Sequence, residues 1–307
     1  MLPKKEIIKL LELDENSKEV LALRKEAREI TKKVTKNTGR IWAAIGLDYA
    51  SCRMSCDFCS LGEKYNSTEK HYELTQREVL NIANSFVDQG IDWLVLRSTE
   101  FYPLGKLIDY AHLIKDNLSG NFTLTVNTGN DNTLRADELK KSGYEMVYQA
   151  IRLREGIDTN FDLKERKRAI KKVTESEMIL SQYLEPLGPE HTNEEIADRI
   201  IDIVKEKTKV SGLMIRVPVK GTPKYKLGSL SDNRIAQITA ILRISTKDHI
   251  KDLVIHPKVD SALESGANAL VVDIGAIPRS NEVHLEEWDG QDVKKAKKAL
   301  KEKGYDI

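Results

Sequence analysis

The spacing of apolar positions along the chain changes character after residue 36. Leu2, Ile7, Ile8, Leu10 and Leu11, then Val20, Leu21, Leu23, Ala27, Ile30 and Val34, recur at helical spacing. They predict two leading helices, over 2–13 and 16–35, with Asp14-Glu15-Asn16-Ser17 as the turn and cap between them. Lys36-Asn37-Thr38-Gly39 ends this pattern. Beyond it, short apolar runs alternate with longer amphipathic stretches. The short runs predict strands at 41–48, 93–97, 122–126, 146–151, 178–184, 212–217, 253–256 and 269–274. The amphipathic stretches predict helices at 75–89, 105–117, 135–142, 162–173, 194–207, 232–243, 258–264 and 291–302. Thr75 and Thr192 are each followed three residues later by Glu, the form of a capping box.

Strands alternating with helices imply parallel βαβ units, because a parallel neighbour requires a crossover. Eight such units close into an α/β fold of the (β/α)8 TIM type. An open, six-stranded (β/α)6 partial barrel is the competing count, which periodicity alone does not separate. The expected organisation is an N-terminal helical extension over 1–36 and a barrel domain over 37–307. No stretch of 20–50 residues repeats, which excludes a solenoid.

Composition narrows the function classes. Lys+Arg 49 against Asp+Glu 48 leaves a net charge of +1, so bulk electrostatics call for neither nucleic acid nor an anionic membrane. No run approaches the ~18–20 apolar residues of a membrane span. The opening Met1-Leu2-Pro3-Lys4-Lys5-Glu6 has no apolar core of a secretion signal. A cytoplasmic protein is the expectation.

The candidate chemistry lies in Cys52-Arg53-Met54-Ser55-Cys56-Asp57-Phe58-Cys59, which holds all three cysteines of the chain. Three thiolates at C-x3-C-x2-C with no fourth suit a [4Fe–4S] cluster with one iron open, since a closed cubane takes four. A structural zinc site also takes four ligands, and His71 is the candidate to complete one. The loop directly follows the first strand, at the end of a barrel where active sites lie. An open cluster requires a reducing compartment.

This loop resembles that of the radical S-adenosylmethionine superfamily, in which the amine and carboxylate of the cosubstrate's methionine occupy the open iron. The resemblance implies that Cys52, Cys56 and Cys59 hold the cluster and that Phe58 borders the adenine. Leu94-Val95-Leu96-Arg97-Ser98-Thr99-Glu100 resembles the superfamily's Gly-Gly-Glu-like motif, with Ser98 and Thr99 in place of the glycines, and implies reception of the methionine ammonium near Glu100. Asn127, Arg154 and Glu155 stand at tips that contact ribose or methionine in biotin synthase-like enzymes, and Arg166 at the place of an arginine that clamps the methionine carboxylate. Tyr183-Leu184-Glu185-Pro186-Leu187-Gly188 and Arg216-Val217-Pro218-Val219-Lys220-Gly221-Thr222-Pro223 resemble the fifth- and sixth-strand signatures of the biotin synthase-like group. That group includes biotin synthase, methylornithine synthase and a biotin synthase-like hydrogenase maturase. The likeness spans about residues 36–285.

The resemblance implies reductive cleavage of S-adenosylmethionine to a 5′-deoxyadenosyl radical that abstracts hydrogen from a small substrate. Biotin synthase also holds a second cluster on further cysteines, and this chain has none. Rearrangement, fragmentation or C–C bond formation in cofactor biosynthesis is therefore expected before sulfur insertion. Tyr148, Gln149, Arg152, Glu185, Arg216, His256, Asp273 and Arg279 occupy the inner tips, and their cations suit an acidic or amino-acid-like substrate. Glu185, Arg216 and His256 are the catalytic candidates, with an Arg216–Glu185 bridge as the structural alternative. Two other readings stay open: biotin- or lipoyl-type sulfur insertion with an atypical second cluster, and a non-catalytic iron–sulfur carrier. The expected partners are a small-molecule substrate and an electron donor such as ferredoxin or flavodoxin, with monomer or homodimer undecided.

Overall fold

The computed structural model describes residues 1–65, 71–247, 249–280, 283–284, 286 and 288–307. Eight parallel strands form the barrel: β1 (Arg40–Gly46), β2 (Trp93–Arg97), β3 (Thr123–Asn127), β4 (Met146–Tyr148), β5 in two segments (Ile179–Ser181 and Leu184–Leu187), β6 (Val210–Ile215), β7 (Asp252–His256) and β8 (Ala269–Ala276). β1 pairs with β2 from Trp42↔Trp93 to Gly46↔Arg97 and with β8 from Arg40↔Ala269 to Gly46↔Gly275. Both edges of β1 are thus satisfied and the barrel closes, which settles the strand count against the six-stranded alternative.

Every predicted strand forms; the second keeps its ends at Trp93–Arg97 and the others shift. The first stops at Gly46 rather than at 48, and Asp48–Tyr49 pairs instead in antiparallel fashion with Tyr72–Glu73, framing the cysteine loop. The fourth stops at Tyr148, beyond which Gln149 N–H still reaches Ser181 O and Leu153 N–H reaches Glu185 O. The fifth breaks after Ser181, where the Gln182 side chain leaves the ladder to donate to Thr208 and Glu206, and pairing resumes at Leu184↔Leu213.

The connecting helices lie where the amphipathic stretches are, and both capping boxes, at Thr75–Glu78 and Thr192–Glu195, are formed. The leading helices α1 (Lys4–Leu11) and α2 (Lys18–Thr35) pack on the outer face of the barrel helices. Ile7 and Leu11 join the main core, and Ala27 seats against Ala240 and Ile244. The Thr31 hydroxyl donates to the Gly266 carbonyl at 2.7 Å, fixing α2 to the turn before β8.

Alternation along the strands sends Ile41, Ala43 and Ile45 outward to the helices and Trp42 and Ala44 into the barrel. Barrel interiors are ordinarily filled by branched aliphatics. Here Trp42 sits 5.7 Å from Trp93 and 5.9 Å from Tyr183, and Tyr183 4.6 Å from Tyr148. These rings plug the barrel below its mouth. No helix among the described residues is long and apolar enough to cross a membrane.

Candidate active site

The cysteine loop is built by its own backbone. Cys52 N–H donates to Leu61 O at 2.7 Å, Glu63 N–H returns to Cys52 O at 3.0 Å, and Cys59 N–H closes a turn on Cys56 O. Asp57 N–H reaches across to Asp158 O, and Lys224 N–H donates to Asp57 O, so the loops after β4 and β6 hold it from the other side. Cys52, Cys56 and Cys59 all line one cavity at the carboxyl ends of the strands, with Phe58 beside them. Burial pushes the Cys59 thiol up to about 11 and Cys56 higher still, so the metal-free loop carries neutral thiols. Among the described residues the single three-ligand group tight enough for one ion is Asp158, Glu190 and His191, and it contains no cysteine. The three cysteine sulfurs and His71 do not form such a group among the described residues. The Asp158–Glu190–His191 group is already engaged by Lys224 and Arg216.

The tips of β2 and β3 meet beside the loop. A Cβ on Gly129 would fall 1.7 Å from the Glu100 carbonyl oxygen, so a glycine is required for this approach. Gly129 leads into a one-turn helix, Asn130–Thr133, whose first N–H donates to Glu100 Oε1 at 2.7 Å. Burial raises the Glu100 pKa against the pull of Arg166, whose Nη2 lies 3.8 Å away. Thr99 donates its N–H to Asp48 at 2.8 Å and its hydroxyl to the second Asp48 oxygen, while Ser98 and Thr128 share a hydroxyl bond of 2.7 Å. Asn127 donates to Tyr148 O at 3.0 Å.

At the cavity floor Asp273 is the hub. It accepts Arg97 Nη1 at 2.9 Å, while His256 Nε2 lies 2.9 Å and Arg279 Nη1 3.9 Å from its other oxygen. Burial opposes its charge, but Arg97, His256 and Arg279 outweigh that and hold the carboxyl far below the ordinary range. Burial, with Arg279 nearby, lowers the His256 pKa, so the imidazole is neutral at pH 7. On the opposite wall Tyr148 donates its hydroxyl to Glu185, and Arg152 Nε lies 3.8 Å from Glu185.

No family model and no curated protein matches this chain in sequence. In structure it is similar to methylornithine synthase (PylB), with a TM-score of 0.80 at 16% identity over 99% of this chain and 94% of that one. It is also similar to HydG, a maturase of the [FeFe]-hydrogenase, with a TM-score of 0.78 at 15% identity over 99% of this chain and 72% of that one. HydG from Carboxydothermus hydrogenoformans gives 0.78 at 15% identity, covering 75% of its length. At this identity the shared property is the fold. Both names fall within the group that the cysteine loop and strand tips resemble.

The cavity wall gathers Cys52, Cys56, Cys59, Phe58, Ser98, Thr99, Glu100, Asn127, Glu185, Arg216 and His256 of the expected residues. Arg154, Glu155 and Arg166 do not line it. Arg154 adopts a positive φ of 58 and its Nε turns to Asp158 at 3.6 Å and Glu195 at 3.8 Å. These ion pairs brace the loop after β4. Glu155 lies behind the wall, accepting from Arg152 N–H and the Thr159 hydroxyl. Arg166 stacks on Phe161 at 3.6 Å, and Arg152, on the wall, reaches the same ring at 5.1 Å.

Arg216 lines the cavity, but its guanidinium is bound to protein partners. Its Nε and Nη2 bind Glu190 at 2.8 and 3.0 Å, and its Nη1 and Nη2 cap the carbonyls of Lys224 and Gly228. All three nitrogens are engaged, and the Arg216–Glu185 bridge is absent. Arg97 and Met54, inside the two motifs but given no role there, are also on the wall, as are Thr128 and Phe161, which belong to no motif.

The donor set fits a cluster and its cosubstrate. Three soft sulfur donors line one space, and a metal bound there would displace their protons. Arg166 Nε and Nη2 and Arg152 Nη1 are buried without a hydrogen bond, with Glu100 and Glu155 oxygens 3.7–3.8 Å away. Buried guanidinium N–H groups are normally paired, and an amino-acid carboxylate would supply the missing acceptors.

Proposed function

We propose that this chain is a radical S-adenosylmethionine enzyme of the biotin synthase-like group, acting on a small acidic or amino-acid-like substrate. The observation that carries this reading is the convergence of the chain's only three cysteines with Glu100, Arg152, Glu185 and Arg279 on one cavity at the barrel mouth. Cys52, Cys56 and Cys59 would hold a [4Fe–4S] cluster, Phe58 would border the adenine, and Glu100, Arg152 and Arg166 would receive the amino-acid end of S-adenosylmethionine. When bound and reduced, the pair would supply a carbon-centred 5′-deoxyadenosyl radical for hydrogen abstraction.

The chain's own residues then bind, orient and exclude water. The Trp42, Tyr148 and Tyr183 rings seal the cavity from below. Arg97 is neutralised by Asp273, whereas Arg279 keeps only a 3.9 Å contact to the same carboxylate and faces the cavity. Arg279 is suited to a substrate carboxylate, and Glu185 across from it to a substrate ammonium. His256, 2.9 Å from Asp273, adds an imidazole to the cavity wall. The lack of any further cysteine favours rearrangement, fragmentation or C–C bond formation over sulfur insertion. A ferredoxin- or flavodoxin-type donor and an oxygen-free cytoplasmic setting complete the reading.

Anaerobic reconstitution tests it. The expected result is about four irons per chain, one cubane's worth, and reductant-dependent 5′-deoxyadenosine. Both should vanish in a Cys52/Cys56/Cys59→Ala variant. Product formation that survives the triple substitution would sink the reading.

A further inference from the structure

Tyr148 ends β4 on the cavity wall, and its phenol donates to the Glu185 carboxylate. Its ring is fixed edge-on against Tyr183 at 4.6 Å and Trp42 at 6.1 Å. The other hydroxyls on the wall belong to Ser98, Thr99 and Thr128. They are aliphatic, with strong O–H bonds, and are tied up with one another and with Asp48. The three thiols are the cluster donors. A phenol differs in kind, because its O–H bond is weaker than that of an unactivated C–H and breaks to a resonance-stabilised phenoxyl. Burial and the adjacent Glu185 charge also raise the Tyr148 pKa, so the phenol stays protonated throughout any working pH.

We propose that Tyr148 is a catalytic hydrogen-atom donor that quenches carbon-centred radicals in this cavity, with Glu185 as its proton partner. The proposal rests on the radical reading above. In the step, the Tyr148 O–H bond breaks homolytically, a C–H bond forms at the carbon radical, and a Tyr148 phenoxyl remains. Restoration takes one electron from a low-potential one-electron reductant of the class that charges the cluster, and one proton relayed from water by Glu185. Atoms and electrons balance over the cycle. The phenoxyl is held among Trp42 and Tyr183, away from bulk water, so the site tolerates it until it is reduced.

The experiment uses the reconstituted, dithionite-reduced protein with S-adenosylmethionine alone, anaerobically in deuterated water. Mass spectrometry reads the deuterium carried per 5′-deoxyadenosine formed, so a change in rate does not enter. Wild type should carry a single solvent deuterium in most of the product, and freeze-quenched samples should show a tyrosyl radical that narrows with ring-deuterated tyrosine. Tyr148→Phe, checked for iron content and circular dichroism, should lose the tyrosyl signal and drop the deuterium fraction severalfold. Glu185→Gln keeps the ring and should shift the anisotropy of the tyrosyl signal, which preserves the test should Tyr148→Phe fail to fold. Wild-type product free of deuterium, equal deuterium in Tyr148→Phe, or a tyrosyl signal unmoved by Glu185→Gln would overturn the role of Tyr148 alone. Absence of 5′-deoxyadenosine from wild type would overturn the radical reading and this role with it.

Discussion

Replacing Glu190 by Ala removes both charged acceptors of Arg216 and separates a structural role for that arginine from a catalytic one. The two side chains are 2% and 7% exposed, and they share bonds of 2.8 and 3.0 Å. Breaking one side of such a buried pair costs about 3–5 kcal/mol, because a charge is left without its partner. Arg216 keeps the Lys224 and Gly228 carbonyls, at 3.2 and 2.9 Å, which places the cost at the low end. The expected loss is about 3 kcal/mol, or roughly 5–10 °C in Tm for a chain of this size. Urea unfolding of the metal-free protein, followed by fluorescence of the barrel tryptophans, reads it. Burial opposes the Glu190 charge, but the Arg216 bonds win and lower its pKa. A depressed carboxylate stabilises fully at neutral pH, so the gap between wild type and Glu190→Ala should close as pH falls below the ordinary carboxylate range. Glu190→Leu with Arg216→Met removes both charges and should recover much of the loss. Stability unchanged within about 0.5 kcal/mol, a surface-like value, together with abolished 5′-deoxyadenosine formation in Arg216→Met, would refute the bracing role.

Other substitutions probe the remaining walls. Arg166→Ala should weaken S-adenosylmethionine binding to the reconstituted protein by about tenfold or more in equilibrium dialysis, the worth of a charged hydrogen bond; unchanged affinity contradicts its placement. Asp273→Asn leaves Arg97 and Arg279 near each other without their shared anion, and should cost about 3–5 kcal/mol in urea unfolding. Alkylation of Cys59 in the metal-free protein should be slow at pH 8 and rise steadily with pH towards about 11, because burial keeps the thiol protonated. A plateau near the ordinary thiol range would contradict that burial.

The fold was legible because each strand and helix carries its own period, and the eight junctions announce themselves locally. The break in β5 was not, since it depends on Gln182 finding Glu206 and Thr208 across the next connection. The cysteine loop was legible for a similar reason: all its ligands lie within eight residues. Arg216 illustrates the opposite case. Its strand-end position and the cationic tips suggested substrate, but its partner is Glu190, on the neighbouring junction, rather than Glu185. The Asp273 hub joins Arg97, His256 and Arg279 from three strand ends, and no local spacing encodes that convergence. Arg154 and Glu155 adjoin Arg152 in sequence, yet the positive φ at Arg154 turns it away and leaves Arg152 on the wall.

The most direct test of the central claim is the electron paramagnetic resonance spectrum of the reconstituted, reduced protein before and after S-adenosylmethionine is added. An open iron in a cluster held by Cys52, Cys56 and Cys59 predicts a [4Fe–4S]+ signal whose g-values shift on addition, because the cosubstrate becomes a ligand. A cluster signal that is present and does not move would contradict it, and would favour an iron–sulfur carrier instead.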